Sequence, residues 1–125
     1  MSIKIEEISF GFIVVNGRRY EYDIIICGDK ILRRFKDISK KYKGRYGHTP
    51  LSLEEVSKTL KLCPGANTVI IGKGIYGALP IPKEVINYIE EHGLKLVIVE
   101  TSKLPEILAS EAEKGKVLAI VHVTC

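Results

Sequence analysis

The sequence predicts a single α/β domain in which an N-terminal antiparallel β-meander packs with a short mixed or parallel β-sheet flanked by helices. Three observations support this prediction. Two apolar runs near the start of the chain are joined by Asn16-Gly17, a dipeptide typical of tight β-hairpin turns. From residue 68 onward, strand-like runs alternate with helix-like runs, which indicates parallel strands joined by helices. A length of 125 residues suits one domain.

The chain divides into a β-meander over residues 1–35, a basic loop over 36–50, and a helix followed by a strand–helix–strand–helix–strand unit over 51–125. In the meander, alternating residues follow the Asn-Gly turn, as expected for a continuous strand with one covered face. Gly28-Asp29 turns the chain into a third strand, and the run IKIEEI before the hairpin can add an edge strand. The residues predicted to share one strand face are Arg18, Tyr20, Tyr22, Ile24 and Ile26.

The segment 36–50 is polar, contains glycine and lacks sustained periodicity, so we expect a long loop. Residues 30–46 carry eight Lys or Arg against one acid, Asp37. A basic excess interleaved with tyrosine is typical of weak, non-specific polyanion binding, and equally of a solvated loop in a lysine-rich chain. His48 lies in the same segment, where an exposed imidazole is a candidate proton switch, although a histidine of this kind is usually incidental.

The predicted helices have start and stop signals in the sequence. Ser52, with Glu55 three residues later, forms a capping-box pattern at the start of the first helix. The next helix has Pro82 at its first turn and ends at Gly93. The strand-like runs TVIIG and LKLVIVE are nearly continuous in apolar residues, which is expected of parallel strands covered on both faces.

A G-x-G-x-x-G pattern, formed by Gly72, Gly74 and Gly77, follows the first of these runs. A dinucleotide-binding turn requires a helix that begins near the second glycine, so that its N-terminal N–H groups face the pyrophosphate. Pro80 and Pro82 prevent this, because each proline disfavours helical geometry in the residue before it. The sequence therefore predicts no NAD or NADP site and no other cofactor.

The same glycine loop is a candidate ligand-binding edge. Glycine-rich backbone can expose N–H donors at the carboxyl end of a parallel strand, where ligands gather in open α/β sheets. Thr101 and Ser102 follow the next strand and would reach the same edge. In the structural alternative, the glycines only form the turn and Ser102 caps the following helix. The candidate residues for a small anionic ligand are Gly72, Lys73, Gly74, Thr101 and Ser102.

Two other candidate functional residues, His122 and Cys125, lie close together in the sequence. His122 shares a strand face with apolar residues, so we expect a hydrogen-bonded core or interface histidine. Positions three apart on a strand point to opposite faces, which argues against a Cys–His nucleophile. Cys27 and Cys63 are expected to be buried, unreactive thiols. No C-x-x-C or paired-histidine spacing occurs, so no metal site is predicted.

The composition predicts a cytoplasmic protein without membrane contact. No apolar run approaches the ~20 residues that a membrane-spanning helix needs, and the first seven residues lack a signal-peptide core. The chain has no Gln and three Asn, whereas Lys, Glu and Ile are abundant. This bias is typical of thermophilic, including archaeal, proteins.

Several motifs together resemble those of a known family. They are VIIG-x-G at 69–74, Gly47-His48, Thr101 after the second parallel strand, and H-x-T-C at 122–125. Over nearly the whole chain the sequence resembles the adipogenesis-associated Mth domain family of archaeal, bacterial and mitochondrial proteins, which includes a mitochondrial complex I assembly factor. The resemblance implies a β-meander layered against a mixed sheet with helices, and no established reaction. The sequence departs from the family pattern at Lys73, where the family usually has Thr.

Together the residues and the resemblance predict a non-catalytic accessory, assembly or protein-interaction module that can self-associate. Its protein partners are not identifiable from the sequence. The alternative is an enzyme or binding protein for a small anionic ligand at the glycine-loop edge, with Lys73 as the electrostatic clamp and the loop N–H groups as its partners.

Overall fold

The computed structural model describes residues 3–125 and confirms the predicted α/β fold class. An antiparallel three-stranded sheet in the order β1-β2-β3 consists of β1 (Ile5–Ser9), β2 (Phe12–Val15) and β3 (Arg18–Tyr20). A mixed five-stranded sheet in the order β5-β4-β8-β6-β7 consists of β4 (Ile24–Cys27), β5 (Lys30–Arg33), β6 (Thr68–Lys73), β7 (Lys95–Val99) and β8 (Val117–His122).

The N-terminal meander is divided between these two sheets, which corrects the prediction of one continuous strand after the Asn-Gly turn. β3 ends at Tyr20, and the chain then enters the five-stranded sheet as β4, antiparallel to β8. The physical reason is that all four residues of β4 are buried. A continuously apolar strand needs cover on both faces, and only an interior position in the larger sheet provides it.

The five-stranded sheet is the middle layer of the molecule. On one face, Ile25 and Ile71 of the sheet share a buried cluster with Val56 and Ile89 of two helices. On the other face, the buried cluster joins the sheet to the three-stranded sheet and to a third helix. Its members include Ile13 and Val15 of β2, Ile24 and Ile70 of the larger sheet, and Leu104 and Leu108 of the helix.

The helices that cover the sheet begin close to their predicted signals. The short helices α1 (Lys36–Ser39) and α2 (Lys43–Tyr46) precede α3 (Leu53–Lys61), α4 (Lys83–Glu91) and α5 (Leu104–Ala112). Ser52 caps α3 as predicted, because its hydroxyl accepts a hydrogen bond from the Glu55 N–H at 3.2 Å. The Glu55 carboxylate does not return to Ser52 but binds a buried arginine, described below.

The prediction of a long loop over residues 36–50 is wrong. Most of the segment folds into α1, a 3₁₀ turn over Lys40–Tyr42, and α2, which ends at Gly47 with a φ of 76°. The buried Ser39 hydroxyl donates to the Glu55 carboxylate at 2.6 Å and is also 2.7 Å from the Ser52 hydroxyl. These contacts are tertiary, and they hold turns that are too short to show helical periodicity.

Cys27 and Cys63 form a disulfide, with 5.8 Å between their Cα atoms, instead of the unreactive thiols that we expected. The bond joins the end of β4 to the turn after α3. Cys125 is a free, half-buried thiol. None of the helices over residues 3–125 has the length and apolar character needed to cross a bilayer.

Candidate functional site

The carboxyl ends of the three parallel strands converge as predicted, and Thr101 joins them. β6 is parallel to both β7 and β8. The Thr101 hydroxyl donates to the His122 carbonyl at 2.7 Å and accepts from the Gly74 N–H at 2.8 Å. The Thr101 N–H donates to the Gly74 carbonyl at 3.1 Å. Thr101 is fully buried, so its polar atoms serve contacts within the chain.

The N–H donors of the glycine loop also bind acceptors within the chain. The Ile75 N–H donates to the Thr124 carbonyl at 2.7 Å, and the Tyr76 and Ala78 N–H groups donate to the Cys125 carbonyl at 2.9 and 3.0 Å. The N–H groups of residues 74, 77 and 79 have partners in the same loop and its neighbours. Three of these loop N–H groups therefore hold residues 124–125, and the others bond to Thr101 or within the loop.

Gly74 is needed because residues 122–125 pack directly against the loop. Its φ is 109°, and a Cβ there would lie 2.4 Å from the Cys125 carbonyl carbon and 2.8 Å from His122 Cδ2. Gly72 is also tight, with 3.1 Å from such a Cβ to the Thr101 hydroxyl oxygen. Because no side chain fits at Gly74, this glycine allows close backbone packing.

The remaining candidate residues have different environments. Lys73 is half-buried and forms no ion pair among residues 3–125. Ser102 is exposed, and α5 begins without a side-chain cap, so the capping alternative for Ser102 is wrong. His48 is exposed. A ligand-binding edge formed by Gly72, Lys73, Gly74, Thr101 and Ser102 stays a prediction.

An exposed aromatic pair lies beside the glycine loop, and sequence reasoning missed it. Tyr76 in the loop is 72% exposed and Phe10 in the β1–β2 turn is 50% exposed. Their ring centroids are 5.8 Å apart. The signal was present in the sequence, since each aromatic residue directly precedes a glycine in a turn. Pairing them required knowing that the two turns meet.

A buried polar network lies behind this edge, centred on Asp23. The Asp23 carboxylate accepts from the Val123 N–H at 2.9 Å and the Arg34 guanidinium at 2.8 Å, and it is 2.7 Å from His122 Nδ1. Burial works to raise the pKa of Asp23, but the hydrogen bond and charge of His122, the Val123 N–H and the Arg34 charge together lower it to about 2. The second ring nitrogen of His122 lies 3.3 Å from the Thr124 hydroxyl. His122 is thus the hydrogen-bonded core histidine that we expected.

Arg34 extends the network to α3. Its Nε and Nη2 donate to the two Glu55 carboxylate oxygens at 2.7 and 3.1 Å, and Nη2 also donates to the Pro50 carbonyl at 2.9 Å. Burial works to lower the pKa of Arg34, but the hydrogen bonds and charges of Glu55 and Asp23 raise it above its ordinary value. Every charge in this group has a partner of opposite sign. Over residues 3–125, no group of three or more His, Cys, Asp or Glu side chains is arranged to hold a metal ion.

Comparison with known proteins identifies relatives of the whole fold. Residues 5–121 match a family described as "Protein of unknown function (DUF498/DUF598)". The conserved hypothetical protein PH1505 from Pyrococcus horikoshii OT3 is 33% identical, with 98% of this chain and 99% of that chain covered and a TM-score of 0.84. A structure named MT938 is 27% identical, with 99% and 100% covered and a TM-score of 0.76. A Bordetella pertussis protein described as a Mth938-like domain shares the fold at 18% identity, with 97% and 85% covered and a TM-score of 0.60.

Proposed function

We propose that this chain, which belongs to the DUF498/DUF598 family of proteins of unknown function, is an accessory module. It binds another protein through Phe10 and Tyr76. Family membership agrees with the resemblance seen in the motifs, and it assigns no reaction. The observation that carries the proposal is the exposed aromatic pair. Aromatic side chains are enriched at protein interfaces and are frequent energetic anchors there.

The backbone under the aromatic pair supports this role because it is already ordered. The Gly11 N–H, next to Phe10, donates to the Val123 carbonyl at 2.8 Å. The Tyr76 N–H donates to the Cys125 carbonyl, and the N–H groups of the residues on either side of it donate to Thr124 and Gly74. Because these two rings lie on a preformed surface, binding of a partner to them costs this protein little conformational entropy.

The anionic-ligand alternative at the glycine loop has weaker support. An anion that used the loop N–H groups would have to replace hydrogen bonds that these groups already make within the chain, including those to residues 124–125. Lys73 alone offers a positive charge without those donors. A site for protein contact at the same edge requires no such rearrangement, because Phe10 and Tyr76 project from two turns whose backbone is already hydrogen-bonded.

The experiment compares three forms of the full chain. The test variant is Phe10→Ser/Tyr76→Ser, and the matched control is Leu32→Ser/Leu62→Ser, which removes two other exposed apolar side chains, 41% and 50% exposed. Each form is immobilised on a support and exposed to an extract of the source cells. Each captured protein is then purified, and its dissociation constant for each of the three forms is measured. Sedimentation at several concentrations tests a second copy of the chain as the partner.

We expect one protein that binds the wild type and the control with similar affinity and binds the test variant at least roughly tenfold more weakly, since anchor residues commonly contribute 2 kcal/mol or more. Equal binding by all three forms would place the interface elsewhere. The absence of any purified binder, together with a monomer at all concentrations, would contradict the protein-binding role.

A further inference from the structure

A separate concave region lies above Asp23 and Arg34 and is called the basic cleft here. It has a volume of about 580 Å³, and its rim carries the basic side chains Arg33, Lys36, Lys40 and Lys58. Known small-molecule sites commonly have volumes of roughly 300–1,000 Å³. The cleft is therefore large enough for a metabolite-sized ligand.

The charges that line the cleft are not balanced. Asp23 on the floor is already bound by Arg34, and Asp37 is paired with Lys40 at 2.8 Å. Arg33, Lys36 and Lys58 form no ion pair with any of residues 3–125. Three positive charges at one concave surface repel one another and attract an anion. The surroundings thus favour a ligand that carries negative charge.

Two of these cations are positioned by aromatic rings within the same cleft. The Arg33 guanidinium carbon lies 4.5 Å from the centroid of the Tyr22 ring, and the Lys58 ammonium lies 4.6 Å from the centroid of the Phe35 ring. Cation–π contacts of this kind restrain long side chains. Restraint before binding reduces the entropy that a ligand must overcome. Ordering Arg33 and Lys58 around a bound ligand should therefore cost less entropy than ordering unrestrained surface lysines.

Thr124 adds an uncharged polar group to the lining of the cleft. Its hydroxyl lies 3.3 Å from His122 Nε2, and His122 is fixed by Asp23 on the other side of the ring. The cleft thus combines cations without ion-pair partners, two of which contact aromatic rings, with a hydroxyl beside His122. Guanidinium and ammonium groups form strong, charge-assisted hydrogen bonds with phosphate and carboxylate oxygens.

From these features we propose that the basic cleft binds a small molecule bearing a phosphate or carboxylate group. Binding uses Arg33, Lys36 and Lys58 for charge, with Thr124 beside them. This site is distinct from both the glycine loop and the aromatic pair, so it does not depend on the protein-binding role. A small anion, rather than a long polyanion, suits a concave site of this size.

The test is titration of the ¹⁵N-labelled full chain with inorganic phosphate and, separately, with succinate, each at constant ionic strength kept with sodium chloride. The test variant is Arg33→Gln/Lys58→Gln. The matched control, Lys43→Gln/Arg45→Gln, removes the same charge from exposed positions of α2. Spectra without added anion establish that both variants retain the fold.

We expect saturable shifts of the amides around Asp23, Arg33–Ile38 and Thr124 with at least one of the two anions. The test variant should weaken this binding by roughly tenfold, and the control should leave it nearly unchanged. Binding of phosphate alone or of succinate alone would support the site and identify the group it prefers. Shifts that fail to saturate, that spread over all basic segments, or that both variants reduce equally would overturn the proposal.

Discussion

Arg34 shows how one residue can hold together distant parts of the chain. Its side chain is fully buried and binds Asp23 next to β4, Glu55 in α3 and the Pro50 carbonyl. Desolvation of the guanidinium is offset only while both carboxylates remain in place. The network therefore specifies how α3 and the β4–β5 hairpin are arranged, and its contribution to stability depends on its being complete.

We predict that Arg34→Leu lowers the free energy of unfolding by about 3–5 kcal/mol, because it leaves the Asp23 and Glu55 carboxylates buried without their counter-charge. Urea unfolding followed by circular dichroism measures the change. Arg45→Leu serves as the control, since Arg45 is exposed and should change stability by no more than about 0.5 kcal/mol. Similar effects of the two substitutions would mean that the network contributes little.

Asp23 leads to a prediction about acid stability. Its pKa is about 2 in the folded protein against an ordinary value of 3.8, so folding favours the charged carboxylate. This contribution, about 2 kcal/mol, is present above pH 3.8 and is lost as the pH falls toward 2. Asp23→Asn should be less stable at neutral pH but lose less stability over this interval. Unfolding free energies measured from pH 6 to pH 2 would contradict the prediction if both proteins declined in parallel.

At the scale of elements, features with local signals were predictable. The Ser52 cap of α3, the delayed start of α4 near Pro82, and the parallel strands β6 to β8 all follow from short stretches of sequence. The transfer of β4 to the second sheet was predicted wrongly, although its four apolar residues in a row do not alternate and indicate cover on both faces. The turns of α1 and α2 were not predictable from the sequence, since they depend on contacts of Ser39 with Ser52 and Glu55, which are distant in the chain.

The candidate site was predictable in position but not in composition. Parallel strands with Gly74 and Thr101 at their ends had to meet at one edge. The hydrogen bonds from the loop N–H groups to residues 124–125 were not predictable, because they join segments about fifty residues apart in sequence. The Asp23–His122 pair spans 99 positions, and no spacing rule reveals a contact of this kind.

The packing of residues 122–125 on the glycine loop makes a prediction for Gly74→Ala. The new methyl group would require both a φ of 109° and an overlap with Cys125 and His122. We expect a loss of about 2 kcal/mol or more in unfolding free energy and shifted amide resonances at Thr124 and Cys125. The control is Gly44→Ala, because Gly44 lies in α2, has no positive φ and has open space at its Cβ position.

Gly44→Ala should be neutral or stabilising by up to about 1 kcal/mol. A Gly74→Ala protein that is as stable as the control, despite shifted resonances at Thr124 and Cys125, would show that the loop can move away from these residues at little cost. The glycine loop would then be free to open for a ligand, which would strengthen the anionic-ligand alternative at Lys73.

At the scale of the whole molecule, charge is distributed unevenly. The net charge is +4, yet residues 30–46 contain eight basic residues against one acid, so the rest of the chain is net negative. In the folded protein, these basic residues do not act as one group. Arg34 is buried in the polar network, Arg33 and Lys36 face the basic cleft, and Lys43 and Arg45 are exposed on α2.

This distribution predicts two separable kinds of anion binding. Single-stranded RNA should bind weakly, with little sequence preference and with an affinity that falls steeply as salt rises, because release of counterions drives such binding. Lys43→Gln/Arg45→Gln should weaken RNA binding and reduce its salt dependence, while phosphate or succinate binding in the cleft stays unchanged. Fluorescence anisotropy with two RNA sequences of equal length, from low to physiological salt, measures the effect. Affinity that was insensitive to salt, or that strongly favoured one sequence, would show that the exposed charges form a specific RNA site instead of a diffuse basic surface.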